Sequence, residues 1–195
     1  MLGMTEVGQE RRRISDPKML RALAHPARLA IIEDLNVTGD GRTATELAEI
    51  VGLSPSATSY HLRELAKVGL IEEAPSRGDG RERVWQSPVH SWGVDLEPDA
   101  DPETQAAEDE LVSLYVDRDY ARLRAYLARS RQEPPEWHDA AGLNTSTVLV
   151  TAQEMKDLFE QVQRLIAPLR VRDRKGAVPE GARTVRVHFA VFPDD

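Results

Sequence analysis

A mainly helical fold with a little β structure, of the α+β class, is what this 195-residue sequence predicts. Three observations carry the prediction. Polar capping residues stand directly before proline, or before apolar residues spaced three to four apart, and so mark helix starts. Two short strand-like runs, residues 70–74 and 81–86, flank a turn rich in glycine and charge. Near the C-terminus, residues 184–192 alternate Val185, Val187, Phe189 and Val191 with Arg186, His188 and Ala190, the period of a half-buried strand.

Taken in order, Ser15, Asp16 and Pro17 start a helix over 18–24, since proline is pre-organised for the first helical position. His25 and Pro26 break and restart it, because proline disfavours helix in the residue before it. The restarted helix buries Leu29, Ile32 and Leu35, with Ile31 beside them, and residues 37–42 form a loop. Thr45 is expected to cap a short helix over 46–51 that Gly52 closes. Ser54 caps the next helix, which has Pro55 at its first position and runs to about Val68. Helix, helix, helix, helix, hairpin is the order of a winged helix over residues 15–88. Residues 1–14 are expected to be a disordered tail. Residues 87–103 carry three prolines and an acidic run, and 89–103 is expected to be an acidic linker. The remainder, 104–195, is expected to be a C-terminal dimerisation and possible effector domain, with a long helix over 104–131 striped by Leu111, Leu114, Tyr115, Leu123, Tyr126 and Leu127. A small strand–helix–strand unit then follows, with a strand at 147–150, a helix capped by Thr151 and Glu154, and the strand at 184–192.

Composition narrows the function. No run of eighteen apolar residues exists, so no membrane-spanning helix is expected. The arginines at 11–13 precede no apolar stretch, so no secretory leader is expected and the chain is assigned to the cytoplasm. With no cysteine, disulfides, thiolate metal sites and cysteine nucleophiles are all excluded. Net charge is −8, but it is unevenly placed. Residues 11–90 hold 12 Lys/Arg against 11 Asp/Glu, whereas residues 91–195 hold 13 against 20. A nucleic-acid binder needs a local basic face rather than a basic total, and this distribution permits one.

The informative stretch is residues 45–69. A helix-turn-helix needs a small residue where two helices nearly touch, a glycine able to take positive φ, and apolar residues that set the angle. Ala48 and Gly52 meet the first two needs; Leu47, Val51, Leu53, Leu62 and Leu65 meet the third. The second helix is then left with Ser56, Ser59, Tyr60 and Arg63 facing outward, with Ser54 and Pro55 at its first turn. Such a helix presents base-edge and phosphate contacts to the major groove of double-stranded DNA. Thr45 and Lys67 are candidate phosphate contacts. In the hairpin, Arg77, Arg81 and Arg83 suit phosphate or the minor groove.

Three blocks make the chain resemble ArsR-type winged-helix regulators over residues 15–87. They are Leu23, Ala24, His25, Pro26, Ala27, Arg28 and Leu29; then Ser59, Tyr60, His61, Leu62, Arg63, Glu64 and Leu65; then Gly69, Leu70 and Ile71. The resemblance implies a bacterial, nucleoid-associated homodimer that binds an inverted-repeat operator, usually a repressor relieved by an effector. Many relatives sense metals through cysteine, and that property does not carry over. No metal or other cofactor is expected; a small-molecule effector, if used, falls to the C-terminal half.

Two other readings compete. One is a winged-helix module that binds only proteins; the other is a ligand-binding C-terminal domain with secondary DNA binding. No phosphate loop or nucleophile elbow occurs, so no enzyme is expected. Trp137, His138 and Asp139 offer an acid–base or metal pattern without a second His or carboxylate at ligand spacing. His61, beside Leu62 and Leu65, is expected to pack rather than read bases.

Overall fold

The structure is a computed structural model that describes residues 11–75, 82–88, 91–94, 98–174 and 176–194. It divides into two compact units, Met1–Leu114 and Tyr115–Asp195.

The N-terminal unit begins with β1 (Arg11–Ile14), then α1 (Pro17–Leu23) and α2 (Pro26–Thr38). Asp16 caps α1 by accepting from the Lys18 amide at 2.8 Å, with Pro17 at the first helical position. His25 caps α2 in the same way through Nδ1, which accepts from the Ala27 amide at 3.1 Å. β2 (Arg42–Thr43), α3 (Ala44–Val51) and α4 (Pro55–Lys67) follow, then β3 (Glu72–Ala74) and β4 (Val84–Gln86). The small sheet runs in the order β2-β4-β3, all antiparallel, with Glu73 opposite Trp85 and Thr43 opposite Val84. Its strands pack tightly beside Gly41, where a Cβ would lie 2.5 Å from Val84 Cγ1. β5 (Ser91–Val94) pairs in parallel with β1, Arg11 opposite Ser91. The helix α5 (Pro102–Arg129) is capped by Asp101, whose carboxylate accepts from the amides of Glu103 and Thr104 and from the Thr104 hydroxyl.

One core holds this unit together. Leu20 and Leu23 of α1, Leu29, Ile31, Ile32 and Leu35 of α2, Leu47 of α3, and Leu62 and Leu65 of α4 meet Leu70, Ile71 and Trp85. Ile14 of β1 and Ala107 and Leu111 of α5 join the same cluster. Removing such side chains from water stabilises by about 1.5–3 kcal/mol each, and this common core is what fixes α4 against the sheet.

The C-terminal unit contains the rest of α5, then α6 (Pro135–Ala140) and α7 (Ala152–Ile166). Thr151 and Glu154 form the reciprocal capping box that starts α7.

Several expectations are corrected. The cap of α3 is Thr43, not Thr45: Thr43 Oγ1 accepts from the Glu46 amide at 3.2 Å while Glu46 accepts from the Thr43 amide at 2.7 Å. The capping box needs partners three positions apart, and Thr43 with Glu46 satisfies it. α2 continues through Thr38 to Gly39, whose φ of 59° ends it, so the loop is shorter than expected. Residues 11–14 and 91–94, expected within the tail and the linker, are strands that pair with each other. Residues 147–150 and 184–192 are not strands. A period of two reveals an apolar side but supplies no neighbour, and a strand exists only with a ladder partner. Leu53, expected to brace the corner, is instead 38% exposed, and Leu47, Leu62 and Leu65 are the leucines of α3 and α4 in the core. The hairpin turn with Arg77 and Arg81 lies outside the described residues, and only the last part of the expected 81–86 strand, Val84–Gln86, is laddered.

Candidate nucleic-acid interface

The corner between α3 and α4 is built by backbone geometry. Gly52 adopts φ 68°, the left-handed conformation that glycine takes without a Cβ penalty. Its amide and that of Leu53 both bond back to the Ala48 carbonyl, Leu53 at 3.1 Å. The chain then turns into α4, where Ser54 Oγ accepts from the Ala57 amide at 3.2 Å and Pro55 takes the first helical position. Ala48 is buried at the turn, as a close helix–helix approach demands.

α4 has two faces. Thr58, Leu62 and Leu65 point into the core. Pro55, Ser56, Tyr60, Arg63 and Lys67 are exposed and Ser59 is half-buried. Beside that outer face a recess of about 360 Å³ is lined by Ala44, Thr45, Pro55, Ser56, Ser59, Arg63, Glu82, Arg83 and Trp85. Six of the sequence-selected residues, from α3, α4 and the hairpin, thus share one surface. Ser54, Tyr60 and Lys67 are exposed but do not line the recess. Arg77 and Arg81 lie outside the described residues.

The charges on this surface are accessible. Arg83 Nη1 sits 3.2 Å from Glu73 Oε1, and Lys67 Nζ 2.5 Å from Glu64 Oε1, in exposed pairs. Exposed pairs contribute little to stability, so either cation is released to another anion at little cost. The Lys67 hydrogen bond also holds the Glu64 carboxyl below its usual range. Three lining residues escaped sequence reasoning: Ala44, Glu82 and Trp85. Glu82 and Trp85 adjoin Arg81 and Arg83 in the hairpin, and that adjacency was the signal available for them.

Behind the outer face, α4 touches the start of α2 through two imidazoles. His61 and His25 have ring centroids 4.6 Å apart, and Tyr60 meets His61 edge-on at 5.5 Å. His61 Nδ1 is buried without a partner, in keeping with a packing role. Desolvation lowers both pKa values from 6.5; Arg28 adds to the lowering at His25, and His25 and then Arg28 add to it at His61, against a smaller opposing pull from Glu64. A histidine whose folded pKa is depressed contributes stability above its unfolded pKa and loses it as pH falls. Thermal unfolding between pH 7.5 and 5 should therefore show Tm falling once pH drops below about 6.5. Protonation of His25 also removes the Nδ1 acceptor that caps α2 and sets a cation at a helix N-terminus. The double change His25→Asn and His61→Gln should flatten that acid limb; an unchanged limb would assign it to the carboxylates instead.

Among the described residues no group of three His, Asp or Glu is placed to hold a metal ion. His138 Nδ1 lies 3.3 Å from Asp139 Oδ1 in an exposed pair. No helix is long and apolar enough to cross a membrane among the described residues.

A helix-turn-helix backed by a three-stranded antiparallel sheet is a winged helix-turn-helix domain, and that is the fold of the N-terminal unit. Residues 23–74 match the family described as a helix-turn-helix domain. The chain is similar to the HTH-type transcriptional regulator YgaV of Escherichia coli (strain K12), 46% identical over 54 residues. That stretch covers 28% of this chain and 54% of YgaV, so the match spans about half the length of the relative. Among solved structures, it resembles reduced HlyU from Vibrio cholerae at 24% identity, over 50% of this chain and 85% of that one, with a TM-score of 0.32. It also resembles MepR of S. aureus in a MepR–DNA complex at 15% identity, over 60% and 86% of the two chains, with a TM-score of 0.33.

Proposed function

We propose that this chain is a sequence-specific DNA-binding transcriptional regulator, an ArsR-type repressor that binds an inverted-repeat operator as a homodimer in the cytoplasm. The observation that carries the reading is the common surface of Thr45, Pro55, Ser56, Ser59, Arg63 and Arg83 around the exposed side of α4. A helix that is anchored on one side and carries short hydroxyls and an arginine on the other has the reach and the donors for base edges. Ser56, Ser59 and Tyr60 would make the shorter hydrogen bonds and Arg63 the longest. Ser54 and Pro55 bring the helix N-terminus to the backbone. Thr45 would hydrogen-bond a phosphate, and Lys67, Arg77, Arg81 and Arg83 would neutralise phosphates on either side. Similarity to YgaV, a transcriptional regulator by name, and the helix-turn-helix match over residues 23–74 support the same reading.

Selection of bound fragments from genomic DNA tests it. The expected product is an inverted repeat whose half-sites lie about 10 bp, one helical turn, apart or a multiple of that. With six or more phosphates neutralised by a dimer, affinity should fall by about 10³ or more between 50 and 200 mM salt. No enriched fragment, or binding indifferent to salt, would leave a domain that contacts only proteins.

A further inference from the structure

The described part of the C-terminal unit has no buried residue; the last buried side chain among the described residues is Leu111. A unit of about 80 residues is at the size where a core of its own is hard to complete. It nevertheless carries strongly apolar faces. α7 presents Leu158 and Leu165, the latter 72% exposed, on one stripe. Just before its cap, Leu149 is fully open. Phe189 meets Phe159 of α7 with ring centroids 6.0 Å apart, which sets the alternating run 184–192 against the same helix. The even-numbered side of that run is engaged elsewhere in the unit: His188 Nδ1 lies 3.3 Å and Arg186 Nη1 3.6 Å from the Asp119 carboxylate of α5. The odd-numbered Val185 and Val187 stay more than 60% exposed.

We propose that this apolar face, α7 with the odd-numbered side of residues 184–192, is where a second copy of this chain binds. The proposal rests on the dimeric reading above and gives the dimer a surface. Two observations favour a second copy over another partner. The five open apolar side chains, Leu149, Leu158, Leu165, Val185 and Val187, amount to roughly 500 Å² when each is counted at about 100 Å². A standard interface buries about 800 Å² per partner, somewhat over half of it apolar, so the face matches what a stable dimer needs. Charge points the same way. Residues 115–195 hold 13 Lys/Arg against 12 Asp/Glu, close to neutral, although the whole chain carries −8. A near-neutral unit meets its own copy with little like-charge repulsion. Joining two copies here supplies both faces with the covering that neither protomer has alone.

The full-length chain decides the matter by sedimentation and thiol labelling. Leu165→Asp and Val187→Asp should each weaken the dimer by about 100-fold, the loss typical of a central interface residue. Because the chain has no cysteine, Leu165→Cys and Val187→Cys each introduce a single reactive thiol with little change in volume. Both thiols should react slowly with a maleimide at high protein concentration and at least tenfold faster after dilution. Ile50→Cys, on exposed α3, should react alike at every concentration. If the aspartate variants fail to fold, the cysteine variants carry the decision. Protection that ignores dilution means the chain's own N-terminal unit covers the face, and overturns the proposal. A wild-type dimer with unprotected thiols keeps the dimeric reading but sinks this surface. A monomer at all concentrations removes both, while DNA binding stands or falls by fragment selection.

Discussion

Truncating Leu62 to alanine should destabilise the chain by about 2–5 kcal/mol, the range for a buried leucine whose cavity cannot collapse. Leu62 is fully buried at the inner face of α4, in the cluster that includes Leu20, Leu35, Leu47 and Leu70. Those neighbours come from different elements of the N-terminal unit, so no single side chain can shift to fill the space. The check is a denaturant titration in which the midpoint falls and the slope is unchanged. DNA affinity measured well below the new midpoint should stay within about threefold of the parent, since the outer face is untouched. A loss under about 1 kcal/mol would mean that α4 is not seated as described.

The neighbouring residue should give the opposite pattern. Arg63→Ala should leave the denaturation midpoint within about 0.5 kcal/mol of the parent, as exposed substitutions do. It should weaken operator binding by about 1–3 kcal/mol and broaden sequence preference at one position of each half-site. Two adjacent residues, about 100° apart on one helix, would then separate holding the helix from using it. The comparison to make is affinity for the selected repeat against a scrambled duplex at fixed salt. Equal weakening on both assigns Arg63 to a phosphate and removes the base-reading role.

How much of this was legible in the sequence follows from what each signal measures. Asp16–Pro17, His25–Pro26 and Ser54–Pro55 are local chemistry, and the helices start at those prolines. Gly52 was legible for the same reason: the turn needs a backbone that only glycine adopts freely. Thr43 was missed in favour of Thr45 because both lie near the helix start, and only the reciprocal bond with Glu46 distinguishes them. The outward residues of α4 could be read because helical period fixes which side is left once Leu62 and Leu65 are buried. The meeting of His25 with His61 could not be read. Their sequence positions are far apart, and the contact depends on how α4 crosses the start of α2. At 184–192 the alternation separated two sides, with Arg186 and His188 engaged on α5 and Phe189 on α7, but Val185 and Val187, expected on the buried side, are more than 60% exposed. It could not say whether a ladder partner exists within the chain.

The parallel pairing of Arg11–Ile14 with Ser91–Val94 bears on how the molecule is made. Everything that forms the helical corner and its hairpin lies inside a closed ring of roughly 80 residues, whose closure entropy is recovered only when both ends have arrived. At about 5–20 residues per second, the leading strand emerges from the ribosome roughly 4–16 s before its mate. During that interval residues 11–14 have no ladder partner. Shortening the chain at its beginning would make the gap permanent, leaving the later strand with a bare edge open to other chains.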